Sequence, residues 1–418
     1  MTAFTAADRE YMTRALAQAA GGLFTATPNP RVGCVIVKDD AVIGDGFHLR
    51  AGEPHAEANA LADVRKRGFD ARGATMYVTL EPCNSHGRMP PCVDAVIAAG
   101  VAQVVFALRD PNPAKGNGRD RLRAAGIEVA QGLLEAEARE MNIGFVSRMT
   151  RGRPWVRAKL AASLDGRTAL ARGESQWITG KEARADGHAW RARACAILTG
   201  VGTVMHDDPE LTVRSITTPR QPLRVVVDRH GETPPGARVL AGNNALLVTA
   251  GKRNPAWPDG CESISFPDAN GRVDLPALMR ALATRGVNEL HVEAGAKLTG
   301  ALLDAGLIDE LLLYMAPRVI GDPARGMFER ASPLAALDLA TRFAWHDIAR
   351  IGGDLRVMAR ALPEGGGRCS PASCKRWAGL PTWRLPATDC TSPSTWAFGT
   401  LPMSRSATVS ASAAAALR

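Results

Sequence analysis

The sequence has no run of about 18 apolar residues, so no segment is expected to span a membrane. Its first ten residues lack a charged-then-apolar leader, and no secretory signal is expected. Eight cysteines in 418 residues are too few for a disulfide scaffold. They favour a reducing cytoplasm, where paired cysteines more often hold metal. The remaining composition is globular, with 46% hydrophobic and 22% charged residues, and the length indicates two or three domains.

The net charge of +9 is unevenly distributed along the chain. Residues 368–418 carry +5 of it, which leaves +4 for the first 367 residues. The body of the protein is therefore only mildly basic. Such a charge suits acidic small molecules, for example phosphates, as well as it suits a polynucleotide.

Helical and strand patterns alternate over residues 1–150, which is typical of a layered α/β domain. After a predicted linker at Arg151–Pro154, the alternation of strand and helix patterns begins again and continues to residue 363. From residue 364 to 418 no helix or strand period is present, and three of the eight tryptophans lie there without spacing. This last segment is predicted to be disordered.

The first half contains a set of side chains that fits zinc chemistry. His55 and Glu57 stand at the start of a predicted helix, and Cys83 and Cys92 each follow a proline. One imidazole and two thiolates leave the fourth tetrahedral position of zinc open for water, as in catalytic sites. Zinc makes hydroxide available near neutral pH, and Glu57 can carry the water's proton to a ring nitrogen and then to a leaving amine. The set predicts a zinc-dependent deaminase.

Taken singly, these residues have ordinary alternatives. A lone buried cysteine is most often a small apolar side chain. A closed structural zinc site would need a fourth ligand, for which His86 is the near candidate. It is the combination of His55, Glu57, Cys83 and Cys92 that favours catalysis.

The residues around the two cysteines resemble those of a known family. Eight residues separate them, where most cytidine-type deaminases have two, and the run Glu81–Cys92 resembles the bifunctional deaminase/reductase of riboflavin biosynthesis. So do the runs Thr27–Val37 and Arg109–Pro113, and the resemblance extends from about residue 7 to about residue 361. The sequence departs from the family at Ser85, where the family has a histidine, and in the loop 114–119. Ser85 is expected to affect substrate contacts rather than zinc.

This resemblance implies a cytidine-deaminase-like α/β/α domain over residues 1–150, with one zinc ion held by His55, Cys83 and Cys92. The implied substrate is 2,5-diamino-6-(5-phosphoribosylamino)pyrimidin-4(3H)-one, from which an exocyclic amine is removed. Asn29 and His48 match family positions near the pyrimidine. From the residues alone, they would be a turn asparagine and a surface histidine.

The second half lacks a Rossmann fingerprint, because Met205 stands where the third glycine after Gly200 and Gly202 should be. Residues 295–300 follow a predicted strand and precede a predicted helix, so they could form a phosphate-binding turn. A turn of this kind often needs glycine for its geometry alone.

Runs that begin at Lys159, Gly173, Asp207 and Val292 match the reductase half of the family, which is similar to dihydrofolate reductase in fold and uses NADPH. Residues 151–363 would then reduce the ribosyl group of 5-amino-6-(5-phosphoribosylamino)uracil to ribityl. The implied NADPH-binding residues are Ala161, Trp177, Thr203, Asp207 and a loop of Gly295, Ala296, Lys297, Leu298, Thr299, Gly300 and Ala301. The implied substrate-binding residues are Ser175, Arg191, Leu211, Arg214 and Glu293.

Two residues are candidates for the chemical step of the reduction. Lys159 or Asp207 could polarise or protonate the carbon that receives hydride, although either could be a structural or cofactor contact. Arg191 could also be a solvated helix residue and Trp177 a core residue.

Two rival functions use the same zinc motif. One is a deaminase of tRNA or single-stranded DNA, which the cysteine spacing, the mild charge and the appended reductase all disfavour. The other is a structural or interaction module that has no catalytic activity and whose fold is held together by zinc. The expected partners are a phosphorylated pyrimidine and further copies of this chain, with neither nucleic acid nor membrane.

The segment 364–418 does not resemble the family. Allowed codons for residues 368–379, read in a shifted frame, encode a peptide that resembles the N-terminus of riboflavin synthase. Cys369, Cys374 and Cys390 also lack metal-ligand spacing. The segment is therefore expected to be an out-of-frame tail.

Overall fold

The structure is a computed structural model that describes residues 4–86 and 90–362. These residues belong to one compact unit. The expected out-of-frame tail over 364–418 lies outside the described residues. Within the described residues, no helix has the length and apolar character needed to cross a membrane.

The N-terminal lobe, residues 4–142, is built around a five-stranded sheet. Its strands are β1 (Gly33–Lys38), β2 (Ala41–Phe47), β3 (Thr75–Leu80), β4 (Gln103–Leu108) and β5 (Glu128–Gln131), and its helices are α1 (Ala6–Ala19), α2 (Ala56–Lys66), α3 (Cys92–Ala99), α4 (Gly118–Ala124) and α5 (Glu135–Met141). The strand order is β2-β1-β3-β4-β5. The last three strands are parallel, and β1 runs antiparallel to both of its neighbours.

Helix α1 shows how this lobe is assembled. Thr5 and Asp8 form a capping box that fixes its first turn. Met12, Ala15, Leu16 and Ala19, spaced three and four residues apart, are its buried residues. A side chain at Gly33 would lie 2.0 Å from the Ala15 carbonyl oxygen, so glycine allows the helix to rest directly on β1.

Helix α6 (Ile143–Arg151) leads to the C-terminal lobe, residues 155–362. The strands of this lobe are β6 (Trp155–Ser163), β7 (Arg167–Ala169), β8 (Ala196–Gly200), β9 (Leu223–Val227), β10 (Ala245–Thr249), β11 (Glu262–Ser265), β12 (Glu289–Val292), β13 (Glu310–Ala316), β14 (Arg325–Gly326), β15 (Phe343–Ile351) and β16 (Asp354–Ala361). The helices are α7 (Lys181–Arg193), α8 (Val201–Asp207), α9 (Leu275–Thr284) and α10 (Ala296–Asp304).

Nine of these strands form one sheet in the order β11-β10-β9-β8-β12-β6-β13-β16-β15. The first seven are parallel, whereas β16 and β15 form an antiparallel hairpin at one edge. The central strands are buried on both faces, as expected for parallel sheets. Their carboxyl ends meet along one edge, which is where ligands bind in open α/β sheets.

The predicted linker at Arg151–Pro154 is a short, anchored connection. Helix α6 ends at Arg151, and Gly152 follows with a positive φ of 66°. Arg151 and Arg153 both donate to the carboxylate of Asp309, at 2.7 Å each to Oδ1. The two lobes are therefore joined by a segment that is itself held by the C-terminal lobe.

A buried ion cluster also joins the lobes. Glu289, at the start of β12, is 0% exposed. Its Oε1 accepts a bond of 2.7 Å from Arg31 of the N-terminal lobe, and its Oε2 accepts from Arg193 at 2.8 Å and Arg157 at 3.1 Å. Burial alone would raise the pKa of Glu289, but Arg193, Arg31 and Arg157 lower it well below its usual range.

A second set of contacts lies beside this cluster. Arg360 of β16 donates to both carboxylate oxygens of Glu140, at 2.6 and 2.9 Å, and to Glu310 at 2.9 Å. Arg148 of α6 donates to the side chain of Asn288 at 2.6 Å. Charged groups of both lobes thus satisfy one another across the interface.

We expect Glu289→Gln to lower the free energy of unfolding by about 3–5 kcal/mol, because Arg31 and Arg193 would stay buried without their carboxylate partner, while Arg157 would keep Glu310. Urea titration followed by circular dichroism measures this change. Glu262→Gln is the matched control, since Glu262 pairs with Arg285 at the surface and should lose no more than about 1 kcal/mol. Equal losses in the two variants would show that the cluster does not hold the fold together.

Candidate active sites

The predicted zinc residues meet at the ends of three elements in the N-terminal lobe. His55 is the N-cap residue of α2, Cys92 is the first residue of α3, and Cys83 follows the carboxyl end of β3. The N-terminus of α3 favours negative charge at Cys92, but the contact with Cys83 and burial raise the pKa of the Cys92 thiol. The possible metal ligands therefore come from three separate segments of the chain that meet at one site.

The ligand atoms of His55, Cys83 and Cys92 lie within 4.8 Å of one another. Nδ1 of His55 is 3.2 Å from Sγ of Cys92 and 3.6 Å from Sγ of Cys83. Tetrahedral zinc with ordinary bond lengths would separate such nitrogen and sulfur atoms by about 3.6 Å. Hydrogen bonds from Cys92 and His55 lower the pKa of Cys83, so this thiol is disposed to act as a thiolate.

Glu57 lies in the first turn of α2 and is 4% exposed. Burial, and to a smaller extent the neighbouring Cys83, raise its pKa to about 7. A carboxyl group with a pKa near neutrality can both take and give a proton. Glu57 is therefore suited to moving protons beside the cluster without being one of its three ligands.

Two more predicted residues lie beside the cluster. Nδ2 of Asn29 is 3.0 Å from Nε2 of His48, and the rings of His48 and His55 meet edge to face with centroids 5.1 Å apart. His48 is buried, so the alternative of a surface histidine is wrong. His86 is exposed and lies outside the cluster of possible ligands found among the described residues, which does not favour a closed four-ligand site.

Ser85 and the loop 114–119, the two predicted departures from the family, lie on or against the segment that carries Cys83, since the Asn84 N–H donates to the Lys115 carbonyl at 3.2 Å. The hydroxyl of Ser85 is buried and has no hydrogen-bond partner among the described residues. The loop 114–119 ends in helix α4, which begins at Gly118. There a side chain would lie 2.0 Å from the carbonyl oxygen of Pro82.

Glu81 connects the segment that carries Cys83 to the loops after β4. It was not predicted from the sequence to have this role. It is buried and accepts backbone N–H bonds from Arg119 at 3.0 Å and Asp110 at 3.3 Å. Burial raises the pKa of Asp110 to about 6. Because Glu81 stands two residues before Cys83, it ties the metal-binding segment to the loops after β4.

The C-terminal lobe has a large cleft of about 1870 Å³ along the carboxyl ends of its parallel strands. Most of the predicted reductase residues line it: Lys159, Ala161, Ser175, Trp177, Arg191, Thr203, Asp207, Leu211, Arg214, Glu293, Gly295, Ala296, Lys297, Leu298 and Ala301. A cleft of this size exceeds an ordinary small-molecule site and has room for two ligands.

The segment Gly295–Ala301 was predicted to be a loop, and this is wrong. Helix α10 begins at Ala296, with Gly295 as its N-cap residue. Thr299 and Gly300 do not line the cleft, since the Thr299 hydroxyl donates back to the Gly295 carbonyl at 3.1 Å. A side chain at Gly300 would lie 2.0 Å from the Glu329 carbonyl oxygen, so glycine lets α10 pack closely there.

Charged residues face one another in the middle of the cleft. Arg191 donates from two nitrogens to Glu293, at 2.5 and 2.8 Å, and to the Thr212 carbonyl at 3.2 Å. The alternative of Arg191 as a solvated helix residue is therefore wrong. Burial lowers the pKa of Lys159, whose charge is also influenced by Glu293 and Arg191.

Trp177 is 62% exposed, so the alternative of a core residue is also wrong. The guanidinium of Arg184 lies 4.4 Å from its ring centroid.

His188 also lines the cleft and was not predicted from the sequence. Burial lowers the pKa of His188 to about 4. His188 stands three residues before Arg191 and four after Arg184 on α7, so helical spacing could have found it.

Family models match both lobes. The cytidine and deoxycytidylate deaminase zinc-binding region matches residues 5–108, and the RibD C-terminal domain matches residues 154–356. Riboflavin biosynthesis protein RibD of Escherichia coli (strain K12) is 47% identical over 362 residues, which are 83% of this chain and 98% of that protein. The protein of the same name from Haemophilus influenzae is 45% identical and covers 85% of this chain and 98% of its own length.

The similar solved structures are of proteins of the same family. Acinetobacter baumannii RibD is 40% identical with a TM-score of 0.79, over 85% of this chain and 99% of that one. The diaminohydroxyphosphoribosylaminopyrimidine deaminase/5-amino-6-(5-phosphoribosylamino)uracil reductase of Thermotoga maritima is 35% identical with the same TM-score and coverage. The predicted α/β fold class, with a cytidine-deaminase-like first half and a reductase second half, is confirmed. The chain belongs to the RibD family of riboflavin biosynthesis proteins.

Proposed function

We propose that this chain carries out two consecutive steps of riboflavin biosynthesis. Residues 1–150 would deaminate 2,5-diamino-6-(5-phosphoribosylamino)pyrimidin-4(3H)-one, and residues 151–363 would reduce the product, 5-amino-6-(5-phosphoribosylamino)uracil, with NADPH. The observation that carries this proposal is the pairing of a His55–Cys83–Cys92 cluster with a separate, large charged cleft. The relative from Thermotoga maritima bears both activities in its name.

The first site fits zinc, because its donor set is one imidazole and two thiols whose ligand atoms lie within 4.8 Å of one another. When bound, zinc supplies a Lewis acid that activates water for hydrolysis. Glu57 would pass one proton of that water to the ring nitrogen and the second to the amine, which leaves as ammonia while the oxygen stays on the ring. Asn29 and His48 would hold the pyrimidine in place. Their mutual hydrogen bond fixes how both side chains face the site.

The second site fits a nicotinamide dinucleotide. Gly295 precedes α10, whose free N–H groups can receive a diphosphate, and Ala161, Trp177, Thr203 and Asp207 lie along the same cleft. When bound, NADPH supplies hydride to the substrate. Lysine at position 159 is the candidate proton donor, because its lowered pKa eases proton release.

Arginines would hold the phosphate of the pyrimidine substrate. Arg191 is held in place by its two hydrogen bonds to Glu293. Its charge is therefore fixed in position, and two of its N–H groups are left to bind phosphate. Arg214 is more exposed, and among the described residues it donates to Glu210 and Thr212 from Nη1 alone, which leaves more donors for phosphate. Ser175 and Leu211 line the same cleft.

The chain also has a surface suited to self-association. Strand β15 is the edge of the nine-stranded sheet, and Trp345 (72% exposed), Ile348 (58%) and Leu355 (44%) lie on the β15–β16 hairpin. An exposed apolar edge strand favours pairing with another chain. We therefore propose a homo-oligomer that buries this edge. A cytoplasmic location and the absence of nucleic-acid or membrane partners stay predictions.

We expect Glu57→Gln to reduce deamination at least about 100-fold, because the amide cannot accept the proton. Zinc content and NADPH oxidation with the deaminated substrate should not change. Ammonia release, metal analysis and nicotinamide absorbance measure the three quantities. Loss of zinc in this variant would contradict a proton-carrying role for Glu57.

We expect Cys83→Ser and Cys92→Ser to lose stoichiometric zinc, because a hydroxyl is a much poorer zinc ligand than a thiolate. Metal analysis of the purified variants measures this loss. Cys261→Ser, at a buried cysteine of the other lobe, is the control and should keep its zinc. Zinc retained in both test variants would mean that the ligand set is wrong.

We expect Trp345→Glu to lower the molar mass measured by light scattering, because a charge would be buried at the proposed contact. Phe69→Glu, at an exposed position of the N-terminal lobe, should leave the mass unchanged. If the unaltered protein is a monomer, or if both variants behave alike, the β15 edge is not the contact.

A further inference from the structure

His188 lies in the middle of the cleft-facing side of α7, and the proposed function gives it no role. Arg184, His188 and Arg191 are four and three residues apart, so they share one face of the helix, and all three line the cleft. Both arginines have partners, since Arg184 donates to the Thr179 carbonyl at 2.8 Å and Arg191 donates to Glu293 at 2.8 Å. His188 thus lies between two anchored charges.

The imidazole of His188 has an unpaired nitrogen. Its Nδ1 is buried and has no hydrogen-bond partner among the described residues. Buried polar atoms of this kind are rare in folded proteins and call for a functional explanation. His206, which also lines the cleft, differs, because its Nε2 lies 3.0 Å from the Gly173 carbonyl oxygen. Rotation about the χ2 bond of histidine is broad, so the His188 ring can turn either nitrogen toward a ligand.

The charge state of His188 indicates which chemical group it would bind. Burial, followed by the charges of Arg191 and Arg214, lowers its pKa to about 4, so the ring is neutral near pH 7. A neutral imidazole has one N–H donor and one acceptor nitrogen. Phosphate oxygens mainly accept and are better bound by arginine, whereas a hydroxyl both donates and accepts. His188 therefore matches a hydroxyl group.

The neighbours of His188 show which part of the substrate it would meet. Gly187 passes close to Lys159, since a side chain at Gly187 would lie 4.0 Å from Cε of Lys159. Lys159 is the candidate proton donor at the reacting carbon, and Arg191, three residues beyond His188, is a candidate phosphate ligand. In 5-amino-6-(5-phosphoribosylamino)uracil, hydroxyl-bearing sugar carbons connect the reacting carbon to the phosphate. His188 thus lies on α7 between the groups that would hold the two ends of this chain.

We propose that His188 binds a hydroxyl of the substrate's sugar chain and thereby selects a hydroxylated chain between the reacting carbon and the phosphate. A polar site of this kind rejects an apolar chain of the same length, because the buried ring nitrogen would then stay unpaired. This inference rests on the proposed function, because the cleft must accept the phosphoribosyl substrate of the reductase.

Steady-state kinetics and calorimetry on the full chain test the inference. His188→Leu should raise KM for the deaminated substrate about fivefold or more, the effect of losing one neutral hydrogen bond, and should leave KM for NADPH unchanged. In calorimetry, ribitol 5-phosphate should bind the unaltered protein more tightly than pentyl phosphate, which has no hydroxyl. His188→Leu should remove most of this difference. His188→Asn keeps a donor and an acceptor and should recover part of the lost affinity.

His230→Leu is the matched control, since His230 is exposed and lies outside the cleft, and it should alter none of these quantities. Circular dichroism shows whether each variant folds, and His188→Ala, which removes the same nitrogens, replaces a leucine variant that does not. The inference is overturned if the folded variant behaves like His230→Leu, if KM for NADPH rises instead, or if pentyl phosphate is weakened as much as ribitol 5-phosphate. If ribitol 5-phosphate binds through His188 but NADPH reduces no substrate, the hydroxyl contact stands and the proposed reductase activity fails.

Discussion

The charge pairing at Glu289 is the interaction on which the arrangement of the two lobes depends. A carboxylate without solvent exposure contacts Arg31 from one lobe and Arg157 and Arg193 from the other. Burying such a group is costly unless its partners are in place, so the cluster favours the docking geometry in which all three arginines reach Glu289. The ring of Trp190, with its centroid 4.3 Å from the Arg157 guanidinium, adds a further favourable contact for that charge.

The same strand extends this constraint to the reductase cleft. Side chains alternate along a strand, so Glu289, His291 and the following Glu293 point to one face of the sheet. Glu289 contacts the N-terminal lobe, whereas Glu293 grips Arg191 in the cleft. His291 lies between them, fully buried, with Nε2 3.3 Å from Glu293. Strand β12 therefore fixes the position of the lobe interface relative to the reductase cleft, because it carries a residue of the first and leads directly into a residue of the second.

Local patterns predicted much of the fold and most of the metal site. The sequence pattern predicts strands over 75–80 and 103–108 and a helix over 92–99, and β3, β4 and α3 have these bounds, because the apolar runs there end at clear turn or helix-start residues. The pattern does not predict strand β2, since the polar run Lys38-Asp-Asp is typical of the end of a strand rather than of a hairpin. In the structure Asp39 and Asp40 have positive φ values of 51° and 57° and turn the chain directly into β2. The β15–β16 hairpin, which turns at Gly352, was likewise not predicted from the sequence.

The two sites differ in how far the sequence could define them. The metal site uses short segments in which proline, cysteine and a helix start follow one another, so its chemistry is visible in the local order of residues. The lobe interface pairs Arg31 with Glu289, which are 258 positions apart, and no local pattern links them. The cleft depends likewise on the strand order β9-β8-β12-β6, which differs from the chain order. Whether an arginine such as Arg229 faces substrate, cofactor or solvent follows from that order alone. Its neighbours in the chain, Asp228 and His230, carry no such information.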